Sequence, residues 1–321
     1  MLRFLANRTG IMATPISRGQ GSARMLLGIL SGTLIFSLIA SDARAEVLRW
    51  KFKAGEKLAY TMDQKTVTSM KVMGQEIKTT LTQTINVHWD VKSLNSDGVA
   101  NVSQTIDRFR TKIESPFVPF EFDSNDKKDP DGPVATVMVP LLRSMVGAEF
   151  SMKMHPKGEL TDVKVPEKLL NTIKNAGPAA AAGGGMFSEE GLKTMLAQSS
   201  LSFPENSLEK GKGWTTESKI PTPQVGTMVL EKAYVYQGVD PKNPSLALID
   251  LATKVTLDPA ADANVSIKIT SQNGKGSFRF NKESGHMESS SVNDTMVMAI
   301  SAMGQSFDQT TETSTSMKLD Q

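Results

Sequence analysis

The chain has 321 residues, with 36 basic and 34 acidic side chains for a formal net charge of +2, three histidines and no cysteine. The lack of cysteine excludes disulfides, a thiol nucleophile, thiolate metal sites and a lipidated N-terminal cysteine. Charges of the two signs are nearly balanced and form no long run, which removes the electrostatic case for nucleic acid or an anionic membrane surface as partner.

Residues 1–45 read as an export signal. The uncharged run Met25–Ala40 follows Arg3, Arg8, Arg18 and Arg24, and Ala43-Arg44-Ala45 has the A-x-A form of a cleavage site. The run is 16 residues long, shorter than the roughly 20 that a spanning helix needs. Cleavage after Ala45 and a periplasmic or extracellular protein with no integral membrane span are therefore expected, an uncleaved anchor being the alternative. Met12 and Met25 are alternative starts. The signal holds five basic residues and one acid, so the mature chain carries a net charge of −2.

The mature chain reads mostly as strand. Ile77, Leu81, Ile85, Val87, Trp89 and Val91 alternate with polar residues over a long stretch, the pattern of an antiparallel strand with one covered face. Asn95-Ser96-Asp97-Gly98 makes a turn. Val99–Ile113 follows as a strand, and the shift of its apolar phase between Ile106 and Phe109 predicts a bulge near Asp107-Arg108. Residues 114–133, rich in Pro and Asp, read as a loop. A short helix is expected over Val134–Val146, with Pro140 an awkward interior residue. Phe150–Met154 and Leu160–Val165 flank a hairpin turn at His155–Gly158. Pro166 opens a helix to about Lys174, Gly177–Gly185 reads as a flexible linker, and Ser188 with Glu189 and Glu190 starts a helix to about Gln198.

Further strands are expected over Met228–Tyr236, Leu246–Leu257, Val265–Ile269, Ser277–Phe280, Met287–Ile300 and Gln305–Lys318, with turns at Asp240–Pro244, Gln272–Gly276 and Lys282–Gly285. Met73-Gly74-Gln75 and Met303-Gly304-Gln305 match, each between long strands, and Gly55–Tyr60 loosely echoes Gly211–Trp214. These echoes suggest two similar halves. The organisation read from the chain is a signal at 1–45, a β half at 46–175, an Ala/Gly linker and helix at 176–203, and a second β half at 204–321.

Chemistry-bearing clusters are few. Met152, Met154 and His155 supply thioether and imidazole, a set suited to copper, but period 2 places both methionines in a core and His155 in a turn. His88 lies on the polar phase of its strand and His286 follows Gly285 in a turn, and neither sits in a metal-ligand pattern. The acids from Asp123 to Asp131 lack the spacing of a calcium loop. Ser188-Glu189-Glu190-Gly191 reads as a helix start rather than a nucleophile site, and Gly183–Gly185 lacks the Lys and Ser/Thr of a phosphate loop. Gln104 and Arg108, spaced with Val102 and Ile106, are candidate polar anchors inside a cavity, or else a polar stripe near a sheet edge. The 18 methionines favour adaptable packing or an apolar pocket.

A set of short patterns carries a family likeness: Gly55-Glu56-Lys57-Leu58-x-Tyr60, Met73-Gly74-Gln75, Asp97-Gly98, Gln104-x-Ile106-x-Arg108, Asp123-Ser124, Gly147, Pro156-x-Gly158, Val165-Pro166 and Gly211-x-x-Trp214. In that order the chain resembles, over 46–321, a family of exported bacterial proteins common in planctomycetes, the domain of unknown function 6263. The resemblance implies export and a single family-wide domain, and it implies no activity.

The fold expected is mainly antiparallel β with a few short helices, α+β in detail, built as a curved sheet or half-barrel meander of two similar halves. It is similar in architecture alone to the open half-barrel of periplasmic lipoprotein carriers. The leading functional expectation is a non-enzymatic envelope protein that binds an apolar or amphipathic, lipid-like ligand in the concave β face. Leu81, Ile85, Met296 and Met298 would line that face, with Gln104 and Arg108 as its polar anchors; no catalytic residue, metal or cofactor is expected. The alternative is a structural or protein-interaction module of the cell envelope. A third reading, an unrecognised hydrolase, would need His88 or His286 to meet a carboxylate in a cleft.

Overall fold

The computed structural model describes residues 45–72, 74–175, 188–222, 225–260, 265–302 and 305–320. The signal, except Ala45, and the expected linker at 177–185 lie outside them. The elements in chain order are β1 (Lys57–Val72), β2 (Gln75–Leu94), β3 (Ala100–Glu114), β4 (Phe120–Asp123), α1 (Pro133–Met145), β5 (Glu149–Met154), β6 (Leu160–Lys164), α2 (Glu167–Asn175), α3 (Glu189–Ser199), β7 (Gly213–Thr222), β8 (Gly226–Asp240), β9 (Asn243–Pro259), β10 (Val265–Asn281), β11 (His286–Ala302) and β12 (Gln305–Leu319). All the strands join one open, curved, antiparallel sheet of order β6-β5-β3-β2-β1-β12-β11-β10-β9-β8-β7, with β4 beside β3.

The strand-bearing stretches before and after the helices are fused by the first and last strands. β1 and β12 pair without a break from Tyr60↔Leu319 to Lys71↔Asp308. The β1–β2 and β11–β12 hairpins, whose tips resemble each other in sequence, therefore turn at the same end of the sheet.

The opposite end is packed. Residues 46–54 run through the concave side, where Trp50 lies 5.9 Å from Trp89 of β2 and 5.4 Å from Phe280 of β10, ring to ring. Four strand spacings separate β2 from β10, about 19 Å on a flat sheet. One indole reaches both only because the sheet curls around it. Trp50 Nε1 donates to Leu201 O at 2.9 Å, Phe203 meets Phe280 at 4.7 Å, and Trp214 stacks on Tyr234 at 5.0 Å. The segments 46–54 and 200–208 thus form a plug of aromatic side chains. Gly158, at φ +92°, permits this crossing: a Cβ there would lie 2.1 Å from Leu201 O and 2.8 Å from Trp50 Nε1.

The helices match their sequence signals. α1 keeps its course through Pro140, which is exposed and needs no inward contact. Ser188 Oγ accepts from Gly191 N at 2.9 Å and caps α3. Three expectations are corrected. Residues 120–123, read as loop, form β4 on the edge of β3, because Phe120 and Phe122 are buried against the core. Residues 213–222, not read as a strand, form β7 as the sheet edge beside β8. The turn expected at Gln272–Gly276 is absent, and β10 runs straight through it.

If the plug is the core, stability should be concentrated there. Trp50→Ala is expected to cost about 3–5 kcal/mol, whereas Met70→Ala, on a half-exposed inward position far along β1, should cost less than about 1 kcal/mol. Urea unfolding of the two variants checks the contrast.

Candidate functional site

Strand registers sort every residue of the sheet onto an inner or outer face. Tyr60, Val87 and Trp89 point into the core, so Met62, Thr66, Thr68 and Met70 of β1 and Leu81 and Ile85 of β2 share the inner face. Continuing across β12, β11, β10, β9 and β8 adds Thr311, Thr313, Met296, Met298, Ile269, Val255 and Leu230. Beyond the plug these inner side chains are only half-buried; α1 packs on α2 and β4, and α3 on β6 and β7. On β9, β10 and β12 inner residues are half-buried while their outer neighbours are exposed. Curvature of the sheet supplies that shielding, so the face forms an open trough.

The trough is sharply segregated by charge. From the row of Thr66 outward, the inner positions of β1, β2 and β7 to β12 hold just two charged side chains, Lys232 and Asp294. Lys65, Lys78, Glu231, Lys254, Lys268 and Glu312 all fall on the outer phase.

Lys232 and Asp294 belong to one cross-strand row, Lys232↔Thr253↔Gly274↔Asp294↔Thr313↔Thr66↔Leu81. Gly274 is the gap that makes the row work. A Cβ there would lie 1.7 Å from Thr253 Oγ1 and 2.2 Å from Asp294 Oδ1. Without it, the Thr253 hydroxyl reaches across β10 and donates to Asp294 Oδ1 at 2.6 Å. Burial pushes the Lys232 ammonium below its ordinary pKa, and the nearby Asp294 carboxylate acts the other way. Burial also pushes the Tyr234 phenol, one step nearer the plug, up to about 12.

Just beyond this row the sheet parts. The β9–β10 ladder ends at Gly274↔Thr253, and the Gln272 side-chain amide takes over, accepting from Val255 N at 2.6 Å and donating to Val255 O at 2.9 Å. The outer lengths of β9 and β10 therefore face each other without a backbone ladder.

Of the residues singled out from the sequence, Leu81, Ile85, Met296 and Met298 lie on the trough's inner face, the first two on β2 and the others three strands away on β11. Gln104 is set against the plug, where its Oε1 accepts from Trp89 Nε1 at 2.9 Å. Arg108 is corrected. The predicted bulge is present, between Asn86↔Arg108 and Val87↔Ile106, and it turns Arg108 to the outer face. There Arg108 forms a bidentate pair with Asp123, Nε to Oδ1 at 3.0 Å and Nη2 to Oδ2 at 2.5 Å. Lys232 and Asp294, which no motif marks, share this inner face, and each interrupts an apolar alternation: Met228, Leu230, Lys232, Tyr234 and Val292, Asp294, Met296, Met298.

Other clusters serve structure. Met152 and Met154 are buried in the core, and His155 Nδ1 accepts from Lys157 N at 3.1 Å. His88 Nδ1 lies 2.7 Å from Asp107 on the outer face, and His286 Nε2 lies 3.0 Å from Lys51 O; among the described residues neither imidazole is hydrogen-bonded to a hydroxyl. Among the described residues, no group of three or more His, Asp or Glu side chains is disposed to hold a metal ion, and no helix is long and apolar enough to cross a membrane. A charged hollow of about 400 Å³ on the other face is lined by Lys92, Ser103, Glu149, Lys153 and Asp162.

The profile of a family of unknown function, DUF6263, matches residues 97–287, and the chain belongs to that family. No curated protein matches the sequence. Among solved structures, one described as lipid–protein interactions in lipovitellin is similar over 84% of this chain at 10% identity, with a TM-score of 0.45. The chain spans about 26% of that protein's length, and at this score the likeness carries no argument.

Two predictions follow from the geometry of these residues. Gly274→Ala should cost about 1–3 kcal/mol by overpacking, and less in a Thr253→Ala background; thermal unfolding reads both. Hydrogen bonds from Arg108 hold the Asp123 carboxyl down at about 2. Because that value is depressed, the pair stabilises the fold above the ordinary carboxylate value, and the contribution is lost as pH falls from about 4 through about 2. With Arg108 partly exposed, Asp123→Asn should cost about 1 kcal/mol at neutral pH. The variant's deficit should vanish near pH 2 in an acid-unfolding series.

Proposed function

We propose that this DUF6263 protein is an exported, non-enzymatic protein that seats an apolar or amphipathic ligand in the concave face of its sheet. One observation carries the reading. Beyond the aromatic plug, a curved face of Met, Ile, Leu, Val and Thr side chains stands half-open, while nearly every charge of the same strands is placed on the other side. A sheet face built only to be solvated would carry charge on both sides. The leader-like segment 1–45 supports export, with a mature chain beginning at Glu46. The non-enzymatic reading rests on the partners of the histidines, which among the described residues are a carboxylate, a backbone amide and a backbone carbonyl.

A second reading, a protein-interaction module of the envelope, is favoured by the facing strand lengths of β9 and β10 that lack a shared ladder. Native mass spectrometry of the chain purified gently from an exporting bacterial host separates the two. A chain starting at Glu46 with a discrete adduct, lost on Met298→Glu, is the expected result. A clean apo mass in every preparation would overturn the ligand reading and leave the interaction module.

A further inference from the structure

The two edges of the sheet are built differently. β6 is short, its pairing with β5 shifts register between Ser151 and Lys153, and Asp162 within it takes a left-handed φ of 52°. Irregularities of this kind blunt an edge against a further strand. β7, at the other edge, pairs with β8 in unbroken register from Gly213↔Val235 to Thr222↔Gly226. The ladder also fixes where its main chain points. Tyr236 N donates to Lys212 O at 2.9 Å, so every second residue of β8, from Tyr236 through Tyr234, turns its amide and carbonyl to β7. Their opposites Trp214, Thr216, Ser218 and Ile220 face β8. The main-chain groups of Thr215, Glu217 and Lys219 therefore point off the edge of the sheet, and their side chains are exposed on the outer face.

We propose that β7 pairs antiparallel with β7 of a second copy of this chain, about a two-fold axis at Ser218, joining two sheets edge to edge. Charge complementarity selects both the partner and the register. With the axis at Ser218, Glu217 of each chain stands opposite Lys219 of the other. An axis at Glu217 or at Lys219 would set like charges face to face, and one at Thr216 would leave both without an opposite charge. A lysine on an edge ordinarily repels another strand. Here Glu217, 3.9 Å from the Lys219 ammonium, makes the pattern its own complement. Glu217 and Lys219 of the two chains exchange about four main-chain hydrogen bonds. Thr216 meets the second copy's Ile220 on the inner face, and Pro221, with no N–H to give, ends the ladder. Because the paired strands are antiparallel, the two troughs lie side by side and open in opposite directions. The inference goes beyond the ligand seat and does not rest on it.

Sedimentation equilibrium of the chain purified from an exporting bacterial host tests the pairing, with a mass that rises from monomer to dimer with concentration as the expected result. Glu217→Lys and Lys219→Glu should each weaken dimerisation by about tenfold or more, since each replaces two attractions with two repulsions. The double variant should regain the dimer, which separates a lost contact from a lost fold. The chain has no cysteine, so single thiols read the register directly. Ser218→Cys places two sulfurs across the axis on residues about 4.5 Å apart between Cα atoms, within disulfide reach, and mild oxidation should link the dimer. Thr216→Cys, about 14 Å from its own copy, should not. A monomer at every concentration, a dimer indifferent to both charge reversals, or equal linking through positions 216 and 218 overturns the inference. A ligand adduct is read by mass on monomer and dimer alike, so the ligand seat and the dimer fail independently.

Discussion

The pairing of β1 with β12 is the contact on which the rest of the molecule depends, because it makes one sheet of two stretches of chain more than 200 residues apart in sequence. Without it, β1 and β12 would each be a long free edge, and the inner faces of the two stretches would have no common curvature. With it, the sheet curls tightly enough for Trp50 to touch β2 and β10 together, and residues 46–54 become the filling of the closed end. The pairing is also polar along much of its length, rich in Thr and Ser; Thr66 and Thr313 lie 3.2 Å apart. Cross-strand hydroxyl pairs of this kind hold register without making the inner face sticky.

The functional character of the fold follows from one asymmetry. The plugged end spends its aromatic side chains on packing, and the far end keeps a curved apolar face that the helices do not close. Glycine at position 274 links the two regions, since it lets Thr253 and Asp294 bond across a strand and sets a polar row where packing stops.

Much of the architecture was legible in the sequence. The long alternation of β2, the proline-led helix α2 and the capped helix α3 came through because period, proline and cap chemistry are local. The β3 bulge was visible in the phase shift between Ile106 and Phe109, yet its consequence for Arg108 was not. Placing Arg108 required the register with Asn86, a long-range fact. Gln272–Gly276 read as a turn because its glycines are locally turn-like, whereas their reason is the space taken by side chains on β9 and β11. β4 was hidden by the Pro and Asp around it, and β7 by its mostly polar residues. Leu81, Ile85, Met296 and Met298 could be assigned to inner faces by parity alone. That Lys232 and Asp294 meet in one row could not, because it depends on the order of four strands.

The central claim, that the open concave face is a ligand seat, is tested most directly by photo-crosslinking. The full chain would be irradiated with a long-chain fatty acid carrying a diazirine near its tail, and the labelled peptides mapped by mass spectrometry. The account predicts labels on inner positions around Met70, Met228, Met296 and Met298, with outer neighbours such as Lys254 and Glu312 spared. Labels spread over the outer face, or confined to the charged hollow around Lys92 and Lys153, would contradict it.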